Sequence, residues 1–176
     1  MNSELIVMTF RDPHKADTVL AAIRAMRKSP ILCLSSVVVA TRERTGKINI
    51  RPDQETATAQ EDRDIQLLLA LAELILRTPA PDAKDALIDR GMDRRFVSEI
   101  VRNLEGESSA LFVLARENSD HDAGETLHTL ALFRGRIHQT SLPSELETYL
   151  SGREPSTPAL RGKEALNQRR ARRDNG

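Results

Sequence analysis

Residues 66–77 read QLLLALAELILR, and this stretch decides which solvent the chain folds in. As a helix, Leu67 to Leu76 rises about 1.5 Å per residue and covers roughly 15 Å of a hydrocarbon core about 30 Å thick. Glu73 lies inside the run, Asp62, Arg63 and Asp64 precede it, and Arg77 and Pro79 close it. An ionised side chain at mid-bilayer costs on the order of 3 kcal/mol. The run therefore predicts a helix laid on an apolar core, with Leu67, Leu68, Leu71, Leu74 and Ile75 inward. Each such side chain gains about 1.5 to 3 kcal/mol by leaving water. Leu69 and Leu76 widen the stripe beyond one contact face, so the same five residues are also the candidate partner-binding surface.

Around that helix, 176 residues suffice for one compact domain and a tail. Lys plus Arg equals Asp plus Glu at 26 each, so no global field recruits nucleic acid or acidic lipid, and any such attraction is local. A single cysteine, Cys33, excludes an intramolecular disulfide. The start MNSELIVMTF lacks the charged and long apolar regions of a secretory signal, and the expected location is cytoplasmic. Tryptophan is absent and aromatics make up 3% of the chain, which argues against base stacking, aromatic cages and carbohydrate platforms.

The apolar run ELIVMTF (4–10) predicts a first strand. Asp12 and Pro13 then start a helix whose Ala16, Val19, Leu20, Ile23 and Met26 recur at helical spacing, with Arg24, Arg27 and Lys28 toward its carbonyl end. LSSVVVAT (34–41) and KINI (47–50) flank the turn RERTG as a hairpin. PDQETATAQE (52–61) carries no periodicity and predicts a mobile surface connection.

After the leucine-rich helix, APDAKDALIDRG (80–91) reads as a short proline-started helix closed by glycine. Asp93 caps a further helix with the stripe Phe96, Val97, Ile100, Val101 and Leu104, followed by the buried-type strand SALFVLA (109–115). A helix with Leu127, Leu130, Ala131 and Phe133 precedes the strand RIHQTS, and Ser144 with Glu147 predicts a capping box for a last helix ending near Gly152. The expected fold is α+β and ferredoxin-like, βαββ then αβαβ, with a mainly antiparallel sheet and two inserted helices. Residues 1–152 form the expected domain, with the connection and inserted helices at 52–90. Residues 153–176, rich in proline, serine and arginine, predict a disordered tail.

Several blocks together resemble an uncharacterised family, domain of unknown function 1269, described as predicted membrane proteins. They are ELIVMTF with its DP-started helix and VVV strand, GMDRRFVSEIVRNLEGESSALFVLA, and GRIHQTSL. The most telling positions are Gly91, Met92, Asp93 and Phe96, then Glu107, Ser108, Ser109, Ala110, Leu111, Phe112 and Val113. The resemblance spans nearly all of 4–152 except the centre. There PDQETATAQEDRD and the leucine run stand where the family carries a long glycine-rich apolar segment. What it implies is the fold; it brings no activity, cofactor or catalytic motif.

Chemistry is thinly marked. His14, His121, His128 and His138 stand at no recognised ligand spacing, and the pair His121 and His128 with Asp122 and Glu125 reads as structural or solvent-facing rather than as a weak divalent site. Cys33 lacks a histidine and asparagine constellation and reads as a buried small residue. GxSxG, GxGxxG and GxxxxGK are all missing, and acidic runs such as EDRD and DAKD read as solvated helix faces. No catalytic residue, metal or cofactor is expected.

The tail concentrates Arg161, Lys163, Arg169, Arg170, Arg172 and Arg173, an arm able to bind phosphates weakly and without sequence reading. The leading expectation is a non-enzymatic scaffold-type protein, with a stress-related process as its working setting. It would self-associate or bind a protein partner through a sheet edge or the leucine-rich helix, with at most peripheral contact with membrane. The alternatives are a module binding a small ligand between helix and sheet, and an accessory nucleic-acid binder acting through the tail.

Overall fold

The computed structural model describes residues 3–26, 36–53, 59–77, 81–116 and 123–152. Five strands, β1 (Ser3–Phe10), β2 (Ser36–Arg42), β3 (Ile48–Pro52), β4 (Ser108–Arg116) and β5 (Arg136–Leu142), form one sheet in the order β3-β2-β4-β1-β5. Every neighbouring pair is antiparallel. The helices among the described residues are α1 (Lys15–Met26), α2 (Ala59–Leu76), α3 (Pro81–Asp89), α4 (Arg94–Asn103), α5 (Ala123–Ala131) and α6 (Ser144–Ser151).

The class and the antiparallel sheet are as the sequence predicts; the strand order carries one difference. β4 lies between β1 and β2, and β1 lies between β4 and β5, so each βα unit is split by a strand from the other. The hairpin strand β3 sits outside β2, at the sheet edge, whereas the simple βαββαβ order would place the third strand next to β1. The excursion through α2, α3 and α4 separates β3 from β4, and β4 fills that central slot.

Two cores result. Ile6, Met8, Phe10, Val37, Val39, Leu111 and Val113 face α1 and α5 on one side of the sheet. Leu5, Val7, Val38, Phe112 and Leu114 face α2, α3, α4 and α6 on the other. Burial on both faces is why β1 and β4 read as continuous apolar runs rather than alternating ones. Leu67, Leu68, Leu71, Leu74 and Ile75 are at most 7% exposed and belong to the second core. They are not a free partner-docking surface, because this chain's own sheet and helices already occupy them. Leu69 and Leu76 are half-buried against the same core. No helix among the described residues is long and apolar enough to cross a membrane.

Local signals explain most element ends. The Asp93 carboxylate accepts from Arg95 N–H at 2.9 Å and starts α4. Gly91, at φ +101, turns the chain out of α3 while Met92 N–H reaches the Leu87 carbonyl at 3.1 Å. Arg90 then stacks 3.6 Å over the Tyr149 ring and ties this turn to α6. The expected capping box at α6 does not form: the N-cap is Pro143, without a side-chain cap bond, and Ser144 lies inside the helix. Glu145 and Glu147 in the first turn instead place negative charge at the positive helix end.

The connection predicted over 52–61 is also shorter than expected. Pro52 ends β3, Asp53 is 1% exposed, and α2 starts at Ala59. Asp53 accepts from Arg24 Nε and Nη2 at 3.1 and 2.8 Å, which compensates its burial. Asp64 is likewise 2% exposed, so part of EDRD faces inward rather than water.

Candidate functional site

An open sheet has two edges, and their backbone chemistry differs here. In an antiparallel ladder each residue directs both its N–H and its C=O to the same neighbouring strand, alternating along the chain. Glu43 N–H donates to the Lys47 carbonyl and Asp53 N–H to the Val37 carbonyl, both at 2.9 Å, which fixes the phase between β2 and β3. The outward residues of β3 are therefore Ile48, Ile50 and Pro52. Pro52 has no N–H, and the Ile48 carbonyl already accepts from Arg77 Nη2 at 2.9 Å. Ile50 alone presents an uncommitted donor and acceptor, so this edge is blunted against further pairing.

Carrying the phase through the uninterrupted registers of β2 with β4, β4 with β1 and β1 with β5 gives the other edge. His138 and Thr140 bond inward to Val7 and Leu5, while Ile137, Gln139 and Ser141 direct N–H and C=O outward. None of the three is proline, and no described strand lies beyond β5. The Ser141 carbonyl accepts a long bond from Thr140 Oγ1, at 3.4 Å. On this strand three consecutive outward positions form a complete template for strand addition.

A polar network holds that strand in place. His138 is 9% exposed and lies between β5 and α4, with Nδ1 3.3 Å from Glu99 Oε2 and Nε2 3.0 Å from Asn103 Nδ2. Arg95 Nε donates to Glu99 Oε1 at 3.0 Å, and Arg136 Nη1 donates to Asn103 Oδ1 at 3.2 Å. One proton arrangement satisfies every contact: Nδ1–H donates to Glu99, Nε2 accepts from the Asn103 amide, and the Asn103 carbonyl accepts from Arg136. The hydrogen bond from Arg95 holds the Glu99 carboxyl below its ordinary range, against the opposing effect of partial burial, and His138 adds to the lowering. Both imidazole nitrogens are engaged. The ring acts as a clamp between helix and edge strand, which restrains β5 against α4.

The other predicted site residues are scattered. His14 is exposed beside the first turn of α1, and His128 is exposed on α5. His121, Asp122 and Cys33 lie outside the described residues, as do Arg161, Lys163, Arg169, Arg170, Arg172 and Arg173. Among the described residues no group of three or more His, Cys, Asp or Glu side chains is placed to hold a metal ion.

A shallow cleft of about 500 Å³ lies between the start of α1 and the β2–β3 hairpin. Its arginines are already engaged: Arg51 with Asp17 at 2.6 Å, Arg44 with Glu107 at 3.9 Å, and Arg77 with Glu73 and the Ile48 carbonyl. The cleft thus offers no set of uncommitted cations to an anionic ligand.

The sequence marks β5 as a strand and His138 as a candidate side chain. It does not mark the Glu99, Asn103 and Arg136 partners, because the joining contacts span 33 to 35 residues for the Asn103 pairs and belong to two elements. No protein-family model, curated protein or solved structure matches the chain.

Proposed function

We propose that the chain is a non-enzymatic association protein that binds an extended segment, from its own kind or from another protein, along the outer edge of β5. The observation that supports this reading is the contrast between the two sheet edges. β3 is blunted by Pro52 and by Arg77 on the Ile48 carbonyl, whereas β5 keeps the outward N–H groups of Ile137, Gln139 and Ser141 and the carbonyls of Ile137 and Gln139 available, with only a long bond from Thr140 Oγ1 on the Ser141 carbonyl. Affinity in strand addition comes from main-chain bonds, and a strand already fixed by its neighbours loses little entropy on receiving a partner. The His138 clamp provides that fixing. The leucine-rich helix serves the reading indirectly, as the core layer beneath the sheet. The same proposal includes kinship in fold with domain of unknown function 1269 and a cytoplasmic setting for the chain.

The test uses Gln139→Pro in the full chain. Proline there removes one outward N–H and no backbone bond to β1, so an edge strand accommodates it, and the one inward loss is the side-chain bond that the Gln139 amide donates to the Glu4 carboxylate. Proteins retained from native lysate at moderate salt should be lost with Gln139→Pro, and equal retention by the two forms refutes the reading. Retention that survives Gln139→Pro and disappears when Arg169, Arg170, Arg172 and Arg173 are changed to Gln assigns the activity to the basic tail instead.

A further inference from the structure

Resting on the edge reading just given, we infer that the segment received by β5 is β5 of a second copy, running antiparallel about a two-fold axis at Gln139. The outward positions are symmetric about that residue. With Gln139 opposite itself, Ile137 stands opposite Ser141 of the second copy and Ser141 opposite its Ile137, and every outward N–H meets a carbonyl. A shift by one residue would turn these backbone groups away from each other. Between the outward pairs, His138 stands opposite Thr140, and no position from 137 to 141 carries a carboxylate, lysine or arginine of the kind that guards sheet edges.

Charge decides the direction. β5 is entered through Arg134, at φ +58, and Arg136, and is followed at once by Glu145 and Glu147 in the first turn of α6. Arg134 and Glu145 are exposed, and among the described residues neither has an ion-pair partner. Stepping the antiparallel register outward places Arg136 opposite Leu142, and Arg134 opposite Ser144, one residue before Glu145 of the second copy. The basic end of each strand thus meets the acidic end of the other at both extremities of the pair. A parallel arrangement would set arginine against arginine and glutamate against glutamate, which is repulsive. The product is a continuous antiparallel sheet across two chains, closed by symmetry, with only the two blunted β3 edges left outside.

Sedimentation equilibrium of the full chain tests this. The wild type should be a dimer and Gln139→Pro a monomer with unchanged circular dichroism. Arg134→Glu and Glu145→Arg should each weaken the dimer several-fold, and the double variant should recover it. Gln139→Cys, in a chain whose Cys33 is replaced by Ser, should oxidise to a covalent dimer. A wild type that stays monomeric at its highest soluble concentration overturns the inference; if Gln139→Pro still abolishes retention of lysate proteins, the edge reading stands with another protein as occupant. A dimer that persists in Gln139→Pro overturns the inference as well, and unchanged retention in that variant overturns the edge reading with it. Failure of the double charge variant to recover the dimer overturns the antiparallel register.

Discussion

Leu71→Ala separates the two meanings that the run QLLLALAELILR carries in the sequence. Leu71 is 0% exposed, in a core shared by α2, the sheet and the flanking helices. Truncation loses the transfer energy of the removed carbons and leaves a cavity that packed neighbours refill only in part, a total of about 3 to 4 kcal/mol. With a urea m-value of about 2 kcal/mol/M for a domain this size, the unfolding midpoint should fall by roughly 1.5 to 2 M. Leu69→Ala, two residues earlier on the same helix but half-buried, leaves a notch that water can enter and should cost about 1 kcal/mol or less. Urea titrations followed by far-UV circular dichroism, at several protein concentrations, give both numbers. Equal shifts for the two variants, or a Leu71→Ala effect that appears only in the association equilibrium, would refute the placement of Leu71 inside its own chain.

Three further outcomes follow from particular contacts. A methyl group at Gly135 would stand 2.5 Å from Phe10 Cε1, so Gly135→Ala should lower stability by about 1 to 3 kcal/mol, and an unchanged melting temperature would show that the Phe10 ring yields freely. Asp53→Ala removes the carboxylate that receives Arg24; because Arg24 is 39% exposed and rehydrates, the expected loss is about 1 to 2 kcal/mol in denaturant titration, and no loss contradicts a structural role for the pair. The folded pKa of Glu99 lies below its unfolded value of 4.5, so its contribution to stability is present above that value and lost as pH falls through the folded one. Glu99→Gln should therefore flatten the acid limb of the stability curve between neutral and acidic pH, and identical acid limbs for the two proteins would count against the network.

The parts of the fold that were legible in the sequence are those whose signals are local. ELIVMTF, the Asp12-started helix, the Asp93 cap and the Phe96, Val97, Ile100 stripe each carry their cause within a few residues. What escaped depends on contacts between distant segments. Nothing near Asp53 announces Arg24, 29 residues away, and so a buried carboxylate read as part of a polar connection. Periodicity identifies β4 as a buried strand but is silent on whether it or β3 occupies the place beside β1. The candidate association edge was legible only as a strand. Which of its backbone groups face outward follows from the phase of four ladders, and that phase has no signature in side-chain order.

The position of β1 bears on how the chain is made. Its hydrogen-bonding neighbours are β4 and β5, whose partner residues for Ser3 are Arg116 and Leu142. At a synthesis rate of about 5 to 20 residues per second, the ELIVMTF segment waits roughly 7 to 30 seconds after emerging before both of its sides can be satisfied. The first strand in the sequence is thus among the last to be completed. A nascent chain stalled between β4 and β5 would carry a half-paired, largely apolar interior strand, a species exposed to aggregation during biosynthesis.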